Sequence, residues 1–137
     1  MTDAFRSYSR WFYAAAIYNL VWGGAVVLFP EVLLRAAGVT AAGAVPLVQV
    51  IGMMVGVYAY GYYLLAREPK RYCGLIWIGL AGKTLGPLGF VYSASIGALP
   101  WSFGWVCAFN DVIWWPVFWR FALTHAREPV AAPVRQP

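Results

Sequence analysis

Four long apolar runs determine what this chain can fold into. They cover about residues 11–30, 45–66, 72–95 and 101–124. An α-helix needs about 20 residues to cross the hydrocarbon core of a bilayer. Lipid offers no partner to backbone N–H and C=O groups, and a helix pairs these groups within one segment. The runs therefore predict an all-α integral membrane protein, a four-helix bundle that crosses the bilayer four times.

The charges are few and lie mostly outside these runs. The chain is 62% hydrophobic and 11% charged, whereas a soluble domain is about half apolar and about a quarter charged. The net charge of +5 is distributed like an orientation signal, because Lys and Arg concentrate on the cytoplasmic side of membrane proteins. We therefore expect the lipid bilayer as the partner, and no nucleic acid.

The distribution of Lys and Arg predicts the orientation. With the N-terminus inside, only Arg35 falls on the outer side, and Lys83 lies within a run. The other eight fall on the cytoplasmic side: Arg6, Arg10, Arg67, Lys70, Arg71, Arg120, Arg127 and Arg135. The prediction is an antiparallel up-down-up-down bundle in the bacterial inner (plasma) membrane, with both termini in the cytoplasm.

The segments outside the runs complete the domain organisation. Residues 1–10 are predicted to be a cytoplasmic N-terminus, 11–124 the membrane domain, and 125–137, which is rich in Pro and Ala, a disordered cytoplasmic tail. Between the first two runs, Pro30 and Glu31 favour a helix start and Gly38 a helix end. This pattern predicts a short interfacial helix between spans one and two.

Polar residues occur near the middle of three runs. Lys83 and Asp111 each lie within two residues of the centre of their run, and so does Asn19, while Asn110 precedes Asp111. Spans joined by a short turn are antiparallel neighbours, which puts Lys83 and Asp111 at one depth. A charge at the centre of a span costs about 2.5–3.5 kcal/mol on insertion scales. These four residues are therefore candidates for a ligand-binding or proton-relay site.

Two prolines and three aromatic residues lie beside these candidates. Pro87 and Pro116 predict kinks that release the carbonyls of Lys83 and Val112, four residues earlier. The neighbouring aromatic side chains are candidate walls for an apolar ligand: Tyr18, Trp114 and Trp115. A structural ion pair that ties the helices together, or charges that face a partner subunit, are the alternatives to a functional pocket.

Glycines recur at helical spacing in the second and third runs. Gly52 and Gly56 form one small-xxx-small pair, and Gly82 and Gly86 form another. Such pairs let two membrane helices approach closely. They predict close backbone packing between spans two and three.

Three functions are open at this point. The first is binding or conduction of a small amphipathic ligand, such as a quinone-like or isoprenoid molecule, or of a proton. The second is an accessory or assembly subunit of a larger membrane complex, for instance a redox complex, and the chain could also form a homo-oligomer. The third is an enzyme with Lys83 as base or Schiff-base nucleophile and Asp111 as its counter-ion. No haem or metal is expected, because His125 follows the last run and the two cysteines form no cluster.

Several features recur in a known group of membrane proteins. Gly23-Gly24 is followed by Leu28-Phe29-Pro30, the second run carries Gly52 and Gly56, and a short basic loop joins runs two and three. In this outline, over about residues 11–124, the chain resembles the DoxX-like small four-helix integral membrane proteins. The resemblance implies a four-helix membrane fold. It also implies a link to quinone-reducing sulfur oxidation, in which some members are membrane subunits, but it assigns no catalytic residue here.

Overall fold

The computed structural model of the protein describes residues 3–126, and the regular structure in this range is entirely helical. The all-α class is thus confirmed for the described residues. The helices are α1 (Asp3–Leu28), α2 (Pro30–Ala37), α3 (Ala44–Arg67), α4 (Leu75–Ser95), α5 (Gly104–Asn110) and α6 (Trp115–His125). Short 3-10 turns at Trp101–Phe103 and Val112–Trp114 precede α5 and α6. The predicted tail lies almost wholly outside the described residues.

Three helices are long and apolar enough to cross a membrane. They are Phe5–Leu28 within α1, Ala44–Arg67 as the whole of α3, and Leu75–Ser95 as the whole of α4. The bounds of α3 agree with the predicted second span to within one residue. The membrane prediction is therefore supported by the length and composition of three helices.

Helix α1 begins well before the first predicted span. It starts at Asp3 and includes most of the segment expected to be a polar N-terminus. The ring centroid of Phe5 lies 4.6 Å from that of His125, and the ring of Tyr8 lies 5.2 Å from that of Phe121. These contacts with α6 give the first turns of α1 an apolar face to pack against.

The fourth apolar run is not one continuous helix. Helix α5 ends at Asn110, Asp111 has φ −121° and ψ −58°, and α6 begins only at Trp115. The break lies directly before Pro116, from which a kink near Asp111 was predicted. Pro116 itself lies in the first turn of α6, where its missing N–H is not needed. The carbonyl of Val112, predicted to be free, accepts a hydrogen bond from the N–H of Trp115.

The short helix predicted after the first span is present as α2. Pro30 is at its start, and Gly38 ends it with φ 74°, a left-handed conformation that glycine adopts readily. The Ser102 hydroxyl donates a hydrogen bond of 2.6 Å to the carbonyl of Ala37. This bond joins the end of α2 to the turn that leads into α5.

The closest backbone packing is between α1 and α3. A Cβ atom placed on Gly23 would lie 2.6 Å from the carbonyl oxygen of Gly52 and 2.9 Å from the nitrogen of Gly56. A Cβ on Gly52 would in turn lie 2.9 Å from the side chain of Val26. The prediction that Gly52 and Gly56 bring span two against span three is therefore wrong, since the helix they contact is α1.

The glycines of α4 make room for side chains. A Cβ on Gly82 would lie 3.0 Å from the hydroxyl oxygen of Tyr58, and one on Gly79 would lie 2.8 Å from the Tyr62 ring. Close backbone packing between spans two and three was predicted from their glycines. Instead, the rings of Tyr58 and Tyr62 of α3 occupy the space beside Gly82 and Gly79 of α4. At these positions a tyrosine ring separates the backbones of α3 and α4.

An aromatic core holds the helices together at one end. The Phe12 and Phe121 ring centroids are 4.8 Å apart, and those of Tyr62 and Phe118 are 5.1 Å apart. Lys70, in the connection between α3 and α4, places its ammonium nitrogen 5.4 Å from the centroid of the Phe5 ring. The start of α1, the α3–α4 connection and the end of α6 therefore lie together.

Candidate functional site

The break at Asp111 releases two backbone carbonyls that distant side chains occupy. In a continuous helix, each carbonyl would pair with the N–H four residues later. Instead, the Tyr18 hydroxyl of α1 donates to the carbonyl of Phe109 at 2.9 Å. The Lys83 ammonium of α4 donates to the carbonyl of Asn110. Side chains from α1 and α4 thus satisfy acceptors that the broken helix exposes.

The free acceptor was predicted at Val112, whereas the acceptors at Phe109 and Asn110 were not predicted. The available signal was the pair Asn110-Asp111 itself. Asn and Asp side chains compete for backbone hydrogen bonds and are unfavourable in the interior of a helix. Their presence in the middle of an apolar run therefore indicates a helix end as well as a polar site.

Lys83 and Asp111 form a buried ion pair. The Lys83 nitrogen lies 3.3 Å from Asp111 Oδ1, and the two residues are 4% and 8% exposed. Asn110 Nδ2 donates to the same oxygen at 2.8 Å. The contact predicted from the matching depths of Lys83 and Asp111 is present, although it is built on a broken helix.

Gly86 leaves space for this carboxylate. A Cβ on Gly86 would lie 3.0 Å from Asp111 Oδ2, which is closer than nearly all real contacts of a Cβ atom. Gly86 therefore faces the ion pair, and its predicted role in packing against α3 is wrong. A side chain here would displace the Asp111 carboxylate.

Pro87 provides a second link between α4 and the fourth run. It lies inside α4 and cannot donate to the carbonyl of Lys83. The indole N–H of Trp115 donates to this carbonyl at 3.1 Å. The Lys83 carbonyl, predicted to be free for another donor, therefore accepts a hydrogen bond from Trp115. The backbone carbonyl and the side-chain ammonium of Lys83 both bind groups near the helix break.

We predict that Trp115→Phe destabilises the protein by about 1–3 kcal/mol, because it leaves the Lys83 carbonyl without its donor. In a Pro87→Ala background the cost should be smaller, since the alanine introduced there has a backbone N–H that can pair with the same carbonyl. The measurement is the free energy of unfolding, in detergent, of wild type, the two single variants and the double variant. If Trp115→Phe lowers the free energy of unfolding equally in both backgrounds, the residue 87 N–H does not replace the Trp115 indole as donor to the Lys83 carbonyl, and the prediction is wrong.

A cavity of about 340 Å³ adjoins the ion pair. The predicted polar layer is brought together there, because Asn19, Lys83, Asn110 and Asp111 all contribute to its lining. The remaining lining residues are Ile51, Met54, Val55, Tyr58, Tyr62, Gly82 and Gly86. The cavity therefore combines apolar walls with one cluster of polar groups.

Several polar atoms around this cavity have no partner within residues 3–126. They are Asn19 Oδ1, Tyr62 Oη and Asn110 Oδ1, all buried. The Lys83 ammonium carries three N–H donors, and its partners in the described range are the Asn110 carbonyl and Asp111. Buried polar atoms nearly always have a hydrogen-bond partner in folded proteins. The cavity thus offers both donors and acceptors to a bound molecule.

Tyr62 was not predicted as a site residue. It lies near the end of the second apolar run, where tyrosines commonly form an aromatic belt at the membrane interface, but it is 2% exposed and lines the cavity. The signal in the sequence was its spacing from Tyr58, since residues four apart lie on one face of a helix. Facing Gly79 and Gly82 supply the space that the two rings need.

The other predicted aromatic residues stand behind the helix break and do not line this cavity. The Tyr18 and Trp114 ring centroids are 5.5 Å apart. Trp114 is buried, and its indole nitrogen has no partner in the part of the chain that is described. Tyr18, Trp114 and Trp115 therefore support the backbone around Asp111, and their predicted contact with a ligand is not seen at this cavity.

Neither a search for metal-binding side chains nor comparison with known proteins assigns a function to this site. Within the described range, no group of three or more His, Cys, Asp or Glu side chains is arranged to hold a metal ion. The resemblance to DoxX-like proteins stays a prediction. Comparison of the chain with protein-family models, with curated proteins and with solved structures finds no match.

Proposed function

We propose that this chain is an integral membrane protein that binds a small amphipathic molecule in the cavity beside Lys83 and Asp111. In this proposal, α1, α3, α4 and the α5–α6 segment cross the membrane in alternating directions, with α2 at the outer interface. The contacts that join the start of α1, the α3–α4 connection and the end of α6 support that arrangement. The Lys and Arg distribution supports cytoplasmic termini in a bacterial inner membrane.

The observation that carries the proposal is the set of unpaired polar atoms around the ion pair. An ion pair that served only to join helices would need no cavity and no free acceptors beside it. Interhelical polar contacts contribute only about 0.6 kcal/mol on average in one measured membrane protein. A bound polar group gives the buried atoms of Asn19, Tyr62 and Asn110 the partners that the described residues do not supply.

The lining indicates the class of ligand. Ile51, Met54 and Val55 form apolar walls, so most of the molecule should be apolar. The polar end should both accept and donate hydrogen bonds, because Lys83 offers N–H groups and two asparagines offer oxygens. An isoprenoid alcohol, or the quinol form of a quinone-like lipid, satisfies both conditions. Proton conduction through the same groups, the accessory-subunit role and the lysine-dependent enzyme stay predictions.

Two reporter fusions test the proposed topology. A fluorescent protein that folds only in the cytoplasm should be fluorescent when fused after Pro137. Alkaline phosphatase, which is active only outside the cytoplasm, should be active when inserted between Gly97 and Pro100. The opposite pattern of the two reporters would contradict the proposed orientation, and the same compartment for both positions would contradict a crossing by the α5–α6 segment.

Asn19→Leu separates a binding role from a structural one. Asn19 is 1% exposed and its oxygen has no partner among the described residues, so replacing it by an apolar side chain of similar size should leave the free energy of unfolding unchanged or raise it. We expect the same variant to lose the lipophilic molecule that wild type retains through gentle detergent extraction, as measured by native mass spectrometry. Loss of stability together with full retention of that molecule would contradict the proposal.

A further inference from the structure

A second and larger cavity, of about 440 Å³, adjoins the polar one. Four residues line both cavities: Ile51, Val55, Gly86 and Asn110. The two spaces are therefore neighbours, and Gly86 lies in the lining of both. A molecule bound beside the Lys83–Asp111 pair lies next to the larger cavity.

The lining of the larger cavity is almost entirely apolar. Asn110 and Ser93 are its polar contributors. The others include Val26 of α1, Leu34 of α2, Val48 of α3, Phe90 of α4 and Val106 of α5. Nothing in this lining would hold an ion or a chain of water molecules. It fits the hydrocarbon part of a ligand.

The lining of the larger cavity includes exposed residues of α3, of α4 and of the connection before α3. Leu47 and Ile51 of α3 are 68% and 54% exposed. Gly89 of α4 is also exposed, and so are Ala41 and Ala42. Val26 of α1, in the same lining, is buried. Under the proposed topology the exposed residues of α3 and α4 face lipid, so a ligand can reach the cavity sideways from the bilayer.

The charge of the polar cavity is balanced. Lys83 and Asp111 are its ionisable lining residues apart from two tyrosines, and they pair with each other. A phosphate, a carboxylate or an ammonium group would add an uncompensated charge in a low-dielectric site, which is strongly unfavourable. A neutral hydroxyl group, which both donates and accepts, can use the free donors and acceptors without adding charge.

We infer that the ligand is a neutral, single-chain lipid with a hydroxyl group, which enters sideways between α3 and α4. Its polar group binds beside Lys83, and its chain occupies the larger cavity. This inference rests on the proposed function and specifies its substrate class and its path of entry. It makes Gly89 a specificity-determining position, because a side chain there would occupy the space of the lipid chain.

Gly89 offers a clean test because no atom lies within 4 Å of a Cβ placed on it. Gly89→Leu should therefore fold normally and fill part of the larger cavity. Gly24→Leu is the matched control, since Gly24 is likewise helical, has no atom within 4 Å of its Cβ, and lies outside the lining of this cavity. Both substitutions replace glycine by leucine in a long apolar helix.

The probes are two photoreactive farnesols, one with a diazirine near the hydroxyl group and one with a diazirine at the far end of the chain. Labelled residues are mapped by peptide mass spectrometry on wild-type protein in lipid nanodiscs. We expect the first probe to label the polar cavity and the second to label the larger one. Gly89→Leu should reduce labelling by the second probe at least tenfold, and Gly24→Leu should leave it unchanged. Excess farnesol should compete with both probes, whereas farnesyl phosphate should not.

Each of the other outcomes would overturn a specific part of this inference. If the hydroxyl-end probe labels the polar cavity while the chain-end probe labels only lipid-facing residues, the path through the larger cavity is wrong and the proposed function stands. Equal labelling of Gly89→Leu and wild type by the chain-end probe would likewise overturn this path alone. Effective competition by farnesyl phosphate would overturn the neutral head group. Labelling of neither cavity would overturn the inference and the proposed function together.

Discussion

Removal of either charge of the Lys83–Asp111 pair is expected to lower the free energy of unfolding by about 3–5 kcal/mol. Lys83→Met leaves the buried Asp111 carboxylate without its cation, and Asp111→Asn leaves the Lys83 ammonium without its anion. Both side chains are almost fully buried, so water cannot stabilise the remaining charge. The measurement is reversible unfolding in mixed detergent micelles.

The double variant Lys83→Met/Asp111→Asn should recover much of this loss, because it buries no charge. Recovery should be incomplete, since the Asn110 carbonyl also loses the donor that Lys83 supplies; that deficit should be about 1–3 kcal/mol. Losses that add up in the double variant would show that the two charges are not coupled.

Gly23→Ala should have the second largest effect, a loss of about 1–3 kcal/mol from overpacking. Its methyl group would lie 2.6 Å from the carbonyl oxygen of Gly52 and 2.9 Å from the nitrogen of Gly56. Both are backbone atoms, so α1 and α3 must move apart to accept it. The check is the melting temperature of the purified protein.

Gly24→Ala is the control for this prediction because it changes the neighbouring residue in the same helix. No atom lies within 4 Å of a Cβ on Gly24, and alanine favours a helix over glycine by about 0.8–1 kcal/mol. The melting temperature of Gly24→Ala should equal or exceed that of wild type. If both variants melt like wild type, α1 and α3 do not pack through Gly23.

The sequence predicts the long helices and the ion pair because both depend on quantities that can be read along the chain. An apolar run sets the length of a helix such as α3, and distance from its centre sets the depth of a residue. Lys83 and Asp111 meet as this simple count predicts. The buried charges themselves make the site visible, since Arg120 is the one other charged residue in these four runs.

The helix break and the helix partners could not be predicted in this way. Pro116 predicts a kink close to Asp111, but it does not predict that the helix ends at Asn110 or that donors from Tyr18 and Lys83 take the released carbonyls. Those donors come from other helices and depend on the tertiary structure. A glycine pair likewise indicates that another helix packs closely, but it does not indicate which helix. Gly52 was predicted to face span three and instead contacts α1.

In the proposed function, the polar cavity binds a lipophilic molecule through Lys83 and Asp111. Native mass spectrometry of the gently extracted Lys83→Met/Asp111→Asn protein tests it most directly, because this variant should fold while it lacks the charged groups of the site. We predict that wild type carries a bound molecule of discrete mass and that the folded double variant carries none. Retention of the same molecule to the same extent by the double variant would contradict the claim and leave the ion pair with a structural role alone.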